Sequence, residues 1–153
     1  LIASMQPIHA TSDMLNADRL WGEPRVRGAY AWRTLLDTGV TLAFGSDAPI
    51  EAPDVLAGIH AAVTRRRGDG APGPAGWQPQ ERISVAEAVR AYTLGAAFAS
   101  GEEASKGSIT PGKLADLVVL DRDIFTCPAA EILQTHVIAT VLDGKVVYGE
   151  LSA

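Results

Sequence analysis

Val40-Thr41-Leu42-Ala43-Phe44 is an unbroken, mostly apolar run that stops at Gly45-Ser46-Asp47, with Pro49 just beyond. A run without polar alternation is the composition of a strand buried on both faces, as in a parallel sheet. Leu1-Ile2-Ala3-Ser4-Met5 is a second such run, closed by Pro7, whose missing N–H is poorly tolerated inside a central strand. Between them, a polar stretch through Asp13, Asn16, Asp18, Glu23 and Pro24 reads as a loop. From Gly28 to Thr38, Ala29, Trp32, Leu35 and Leu36 recur at helical spacing, and Gly39 is a suitable stop. Strand, loop, helix, strand is the order of a parallel crossover unit.

Asp54 can start a further helix, in which Val55, Ile59, Ala62 and Val63 share one apolar face. Arg65-Arg66-Arg67 then reads as the solvated last turn of that helix, where cations suit the dipole. Gly68 to Gly76 is rich in Gly, Pro and Ala and reads as a surface loop. Ser84-Val85-Ala86-Glu87 has the form of a capping box, and behind it Val85, Ala88, Val89, Tyr92, Ala96 and Ala99 predict the buried face of one long helix.

Beyond Glu103 to Gly107 the pattern changes. Lys106 to Lys113 is turn-rich, Asp116 to Asp121 reads as a short buried strand, and Val137–Leu142 and Lys145–Tyr148 are β-branched runs joined by Asp143-Gly144, a two-residue hairpin turn. The expected organisation is therefore α/β over residues 1–105 and mostly β over residues 106–153.

Composition narrows the function. At 47% apolar and 20% charged residues the chain is globular, and a net charge of −5 argues against a nucleic-acid surface. No apolar stretch reaches membrane-spanning length, so no membrane partner is expected. The single cysteine, Cys127, cannot form an internal disulfide; this agrees with a reducing compartment, and a cytoplasmic location is expected. The chain opens without a basic region or an initiator methionine, as a strand entered midway, which suggests the C-terminal piece of something longer. Two parallel strands leave unpaired N–H and C=O groups along their edges. Further strands ahead of residue 1, or self-association of the chain, are expected to cover them.

The candidate chemistry is sparse. Asp47 stands at the C-terminal edge of a buried strand, the edge at which barrel enzymes of parallel strands do their chemistry. It can bind a metal or move a proton, or it can cap the turn beside Ala48-Pro49. His9 lies just past the other strand and could bind substrate, stabilise an oxyanion, act as a distant ligand, or hydrogen-bond within a loop. Gln6 and Asp13 are candidates of the same kind. Trp32 and Arg33 read as helix packing and a surface ion pair, and Trp77 as part of a lid or as packing in an exposed loop. His60 and Tyr92 read as structural, and His136 as inert.

Several segments, in order, resemble the amidohydrolase superfamily, and within it amidohydrolase family 3, which includes the YtcJ-like proteins. They are Ser4-Met5-Gln6-Pro7-Ile8-His9-Ala10-Thr11-Ser12-Asp13, Tyr30 to Val40, Phe44-Gly45-Ser46-Asp47, Ala62-Val63-Thr64-Arg65, Ala91-Tyr92-Thr93, Lys106-Gly107-Ser108-Ile109 and Pro111 to Asp121. The resemblance implies the C-terminal portion of a distorted (β/α)8 TIM-like barrel of a metal-dependent hydrolase, plus the C-terminal strands of a small β-sandwich. Leu1–Met5 and Val40–Phe44 would be the seventh and eighth barrel strands. It further implies that Asp47 touches a divalent metal, zinc by expectation, takes a proton from the activated water and passes it to the leaving group. His9 and Gln6 would face a small-molecule amide-type substrate.

The departure from the family pattern is an absence. The sequence has no His-x-His, and its 3 histidines show no ligand spacing. The remaining ligands, with the N-terminal remainder of the barrel, are expected upstream, and the isolated fragment is expected to be inactive. The alternative from another class is a non-catalytic α/β scaffold or interaction domain that keeps the fold.

Overall fold

Ile2–Met5 (β1) and Thr41–Phe44 (β2) pair in parallel, with Ile2 opposite Thr41 and Met5 opposite Phe44. The register brings the two C-terminal ends level, and Gly45 N–H extends the ladder by donating to Met5 O at 3.2 Å. The computed structural model describes residues 1–22 and 24–151.

The stretch read as a polar loop is instead a helix, Pro7–Trp21 (α1). Pro7 both ends the strand and opens the helix, because a first-turn residue needs no N–H and proline's φ is already helical. The buried stripe is made of small or flexible side chains, Ala10, Thr11, Met14 and Ala17, amid polar neighbours. Glu23, placed in the same expected loop, lies outside the described residues.

The helix expected from Gly28 to Thr38 is shorter, Trp32–Asp37 (α2), behind a 3-10 turn at Arg25–Gly28. Gly39 follows at φ +80 and its N–H donates to Leu36 O, so the expected stop stands. Val55–Thr64 (α3) is capped by Asp54, whose carboxylate accepts from Ala57 N–H at 3.0 Å. The capping box at Ser84–Glu87 is complete and starts Val85–Arg90 (α4).

The long helix behind that box departs from a uniform 3.6-residue repeat. A π turn at Ala91–Gly95 precedes Ala96–Ala99 (α5). The extra residue per turn rotates the face, so Ala88, Ala91, Gly95 and Ala97 are buried while Ala99 is exposed. Gly95 meets the backbone of β2 so closely that a Cβ there would lie 2.1 Å from Leu42 O. β2 packs against α2, the π turn and α5, whereas α1 packs against α3.

The expected solvated Arg65 is fully buried at the left-handed C-cap of α3. Trp77, expected in a lid or an exposed loop, is buried beside it at 6% exposure. Trp32 is fully buried, Arg33 pairs with Asp37 at 3.2 Å and Glu87 at 2.5 Å, and His60 is buried in α3, as expected.

The second sheet is antiparallel, in the order Leu117–Leu120 (β3), Val137–Leu142 (β4), Lys145–Gly149 (β5). Asp143 and Gly144 have φ of +48 and +74, the primed turn that matches strand twist. The connection from β3 to β4 folds back on α3 through the 3-10 turn Ala129–Gln134, burying Ile132. Among the described residues, no helix is long and apolar enough to cross a membrane.

Candidate active site

The parallel register fixes where the reactive candidates meet. His9 lies in the first turn of α1, four residues past the end of β1, and Asp47 three residues past the end of β2. His9 Nε2 and Asp47 Oδ2 are 3.5 Å apart, with side chains 22% and 49% exposed. The contact lacks hydrogen-bond geometry, and Nε2 is a buried atom without a hydrogen-bond partner. An imidazole nitrogen in that condition has its bonding capacity unused, next to a carboxylate open to solvent.

Asp47 adopts φ +60, a left-handed conformation uncommon for a residue with a side chain. Its carbonyl accepts from Ile50 N–H at 2.8 Å, which closes a turn after β2. Backbone strain of this kind concentrates where geometry matters more than local stability. Tyr92 stands behind the turn, with its hydroxyl 3.5 Å from Gly45 O and its ring edge-on to Phe44 at 5.4 Å between centroids. Burial, with the nearby Asp54 charge, pushes the Tyr92 phenol well above its ordinary pKa, so it stays a neutral donor.

Gln6 is the N-cap of α1 and makes no capping bond to the helix, which leaves its amide uncommitted at the same edge. Asp13, one turn beyond His9, accepts from the Tyr30 hydroxyl at 2.7 Å. Burial and that carboxylate raise the Tyr30 pKa well above the phenol range. A further contact lies beyond what the sequence patterns reveal: Ser12 Oγ donates to Glu51 Oε1 at 2.6 Å, across 39 positions. His136 sits apart, paired with Asp121 at 3.0 Å beside β4.

Among the described residues, no group of three or more His, Cys, Asp or Glu converges as a metal cage. Asp47 and the unpartnered His9 Nε2 are a two-donor pair of the kind a divalent cation recruits. They fit part of a ligand set and fall short of a complete one.

The model of the amidohydrolase family matches residues 1–148. This chain belongs to the amidohydrolase family. It is 39% identical over 145 residues to YtcJ of Bacillus subtilis (strain 168), covering 94% of this chain and 27% of that protein. It is 38% identical over 116 residues to the N-substituted formamide deformylase of Arthrobacter pascens, covering 76% of this chain and 21% of that enzyme. An uncharacterized metal-dependent hydrolase from Pyrococcus horikoshii OT3 superimposes with a TM-score of 0.70 at 31% identity, over 82% of this chain and 25% of that one. The chain thus spans about a quarter of the length of these relatives. Family membership carries an amidohydrolase-type fold, here of mixed α/β content.

Proposed function

We propose that these residues form the C-terminal part of a metal-dependent hydrolase that cleaves C–N bonds in small amide-type molecules, with Asp47 as a metal ligand and proton carrier. The convergence of His9 and Asp47 at the level C-terminal ends of a parallel strand pair carries the reading. In parallel barrels that edge is where reacting groups gather. On the same reading, residues 1–105 belong to a (β/α)8 barrel and residues 106–153 to a β-sandwich. The two separate sheets, parallel before the boundary and antiparallel after it, support that division. The remainder of the barrel covers the open edges of the β1–β2 pair.

Bound at this edge, a divalent cation such as zinc supplies Lewis-acid activation of a water molecule. Asp47 accepts the proton that the attacking water loses and returns it to the leaving nitrogen as the C–N bond breaks. Its half-exposed carboxylate suits a group that must exchange protons with a substrate. His9 presents its free Nε2 to the scissile carbonyl, and the Gln6 amide offers donors and an acceptor for orientation. The name of the Arthrobacter pascens relative supports the bond class and suggests N-substituted formamides as first substrates.

The test is Asp47→Asn in the protein expressed from its complete coding sequence and loaded with zinc. Turnover of N-substituted formamides and N-acyl amides should fall by at least about 100-fold, the scale of a lost proton-transfer group. The circular dichroism spectrum should be unchanged. Full turnover in this variant contradicts the reading.

A further inference from the structure

The contact between His9 and Asp47 does not hold itself together. At 3.5 Å, without hydrogen-bond geometry, it supplies little force to keep the two side chains at working distance. His9 is carried by α1, which packs against α3, and the strands fix only the point where α1 begins. Asp47 is carried by the turn after β2. α1 is also tied to Tyr30 through Asp13 and to Trp77 through Asp18, but neither bond reaches the turn that carries Asp47.

We propose that the Ser12–Glu51 hydrogen bond is a latch that sets the spacing of His9 and Asp47 and makes Ser12 and Glu51 positioning residues for the reaction. The inference rests on the reading of Asp47 as the reacting carboxylate. Ser12 follows His9 by three residues, so the two are neighbours on the helix surface. Glu51 follows Asp47 by four, directly after the turn closed by Ile50 N–H on Asp47 O at 2.8 Å. The bridge therefore runs alongside the His9–Asp47 contact and joins the same two elements. Its length of 2.6 Å is that of a charge-assisted O–H to carboxylate bond, stronger than a neutral one. Ser12 is exposed and Glu51 half-buried, so the bond adds little to global stability.

The test uses the protein from its complete coding sequence, as Ser12→Ala, Ser12→Thr, Glu51→Ala and the double variant Ser12→Ala/Glu51→Ala. Amide hydrogen exchange at Ile50 should quicken by about fivefold or more in either alanine variant, as expected when a local opening is eased. The amides of Thr41–Phe44 should keep their rates, which general loosening would not allow. With N-substituted formamides, kcat should fall about tenfold, the scale of a sub-ångström misplacement, with KM nearly unchanged. The double variant should be no worse than either single one, and Ser12→Thr should restore both readouts. Unchanged Ile50 exchange in both alanine variants overturns the latch, as does an additive double variant. The exchange readout involves no turnover, so it stands or falls separately from the role of Asp47, which Asp47→Asn decides. If one alanine variant fails to fold, the other breaks the same bond from its opposite end and gives the same decision.

Discussion

The guanidinium carbon of Arg65 lies 4.4 Å from the centroid of the Trp32 ring, and both side chains are fully buried. The centroid of the Trp77 ring lies 5.0 Å from the same carbon. Arg65 Nε donates to Trp77 O and Nη1 to Tyr30 O, each at 2.8 Å, while Trp77 N–H donates back to Arg65 O at 2.9 Å. Trp77 Nε1 then reaches Asp18 on α1 at 2.9 Å. A single cation thus ties the end of α3 to α2, to the Tyr30 segment and, through Trp77, to α1. Burial lowers its pKa to about 10, opposed by the Glu81 charge, so it remains charged at neutral pH.

Arg65→Ala should therefore destabilise the protein by about 3–5 kcal/mol, because it strands two carbonyls and opens a void against two indoles. Arg65→Lys should recover less than half of that, since an ammonium cannot stack on a ring and serve two carbonyls with a planar fork. Urea unfolding at pH 7 measures both. A loss below about 1 kcal/mol for Arg65→Ala would show that the cation is not structural.

Gly58 in α3 is expected to resist alanine despite the helix propensity gained. A Cβ there would lie 1.9 Å from the Tyr92 hydroxyl oxygen and 2.9 Å from Cζ. Propensity returns about 1 kcal/mol and overpacking costs about 1–3 kcal/mol. Tyr92 cannot swing away easily, because its ring is packed edge-on against Phe44. Gly58→Ala should thus lower stability by up to about 2 kcal/mol. Adding Tyr92→Phe should relieve part of the loss by removing the closest atom. A double-mutant cycle followed by thermal unfolding reads the coupling, and strict additivity would place the strain elsewhere.

The elements legible in the sequence are those whose signal is local. The apolar runs of β1 and β2, the Asp54 cap, the capping box at Ser84 and the Asp143-Gly144 hairpin each depend on neighbours a few residues away. α1 hid because its buried stripe is alanine, threonine and methionine rather than large aliphatics. Arg65 was illegible for a different reason. An arginine is read as solvated unless its partners are known, and here they come from Tyr30, Trp32 and Trp77, 35, 33 and 12 positions away. The site divides in the same way. Asp47 and His9 could be placed from strand ends alone, whereas the Ser12–Glu51 bond links a helix and a turn 39 positions apart and leaves no periodic trace.

Acid should weaken the join between α2 and α4. Arg33 Nη2 bonds Glu87 Oε2 at 2.5 Å, and this, together with the Ser84 backbone and hydroxyl bonds, lowers the Glu87 pKa to about 2. A carboxylate whose folded pKa is depressed contributes stability that is complete above its unfolded value, 4.5, and lost as pH falls toward about 2. With the side chain 34% exposed, solvent screening limits the contribution to about 1 kcal/mol. Between pH 5 and 2, stability should therefore fall more steeply in the native protein than in Glu87→Gln, as followed by urea unfolding across that range. Parallel curves would remove Glu87 from the acid response.

The 153-residue chain should retain little zinc by itself. Protein zinc sites take three or four side-chain ligands, and tightness grows with each anionic or imidazole donor brought together without strain. Asp47 offers one; even with His9 Nε2, 3.5 Å away, counted as a second, no third His, Cys, Asp or Glu joins them among the described residues. Native mass spectrometry of the chain after dialysis against equimolar zinc should find mainly the metal-free mass. Asp47→Asn should leave that result unchanged, whereas in the protein from the complete coding sequence the same substitution should lower zinc content. Stoichiometric zinc on the 153-residue chain, lost in Asp47→Asn, would mean that this segment carries a complete ligand set around Asp47. The expected dependence on ligands from outside the chain would then be wrong.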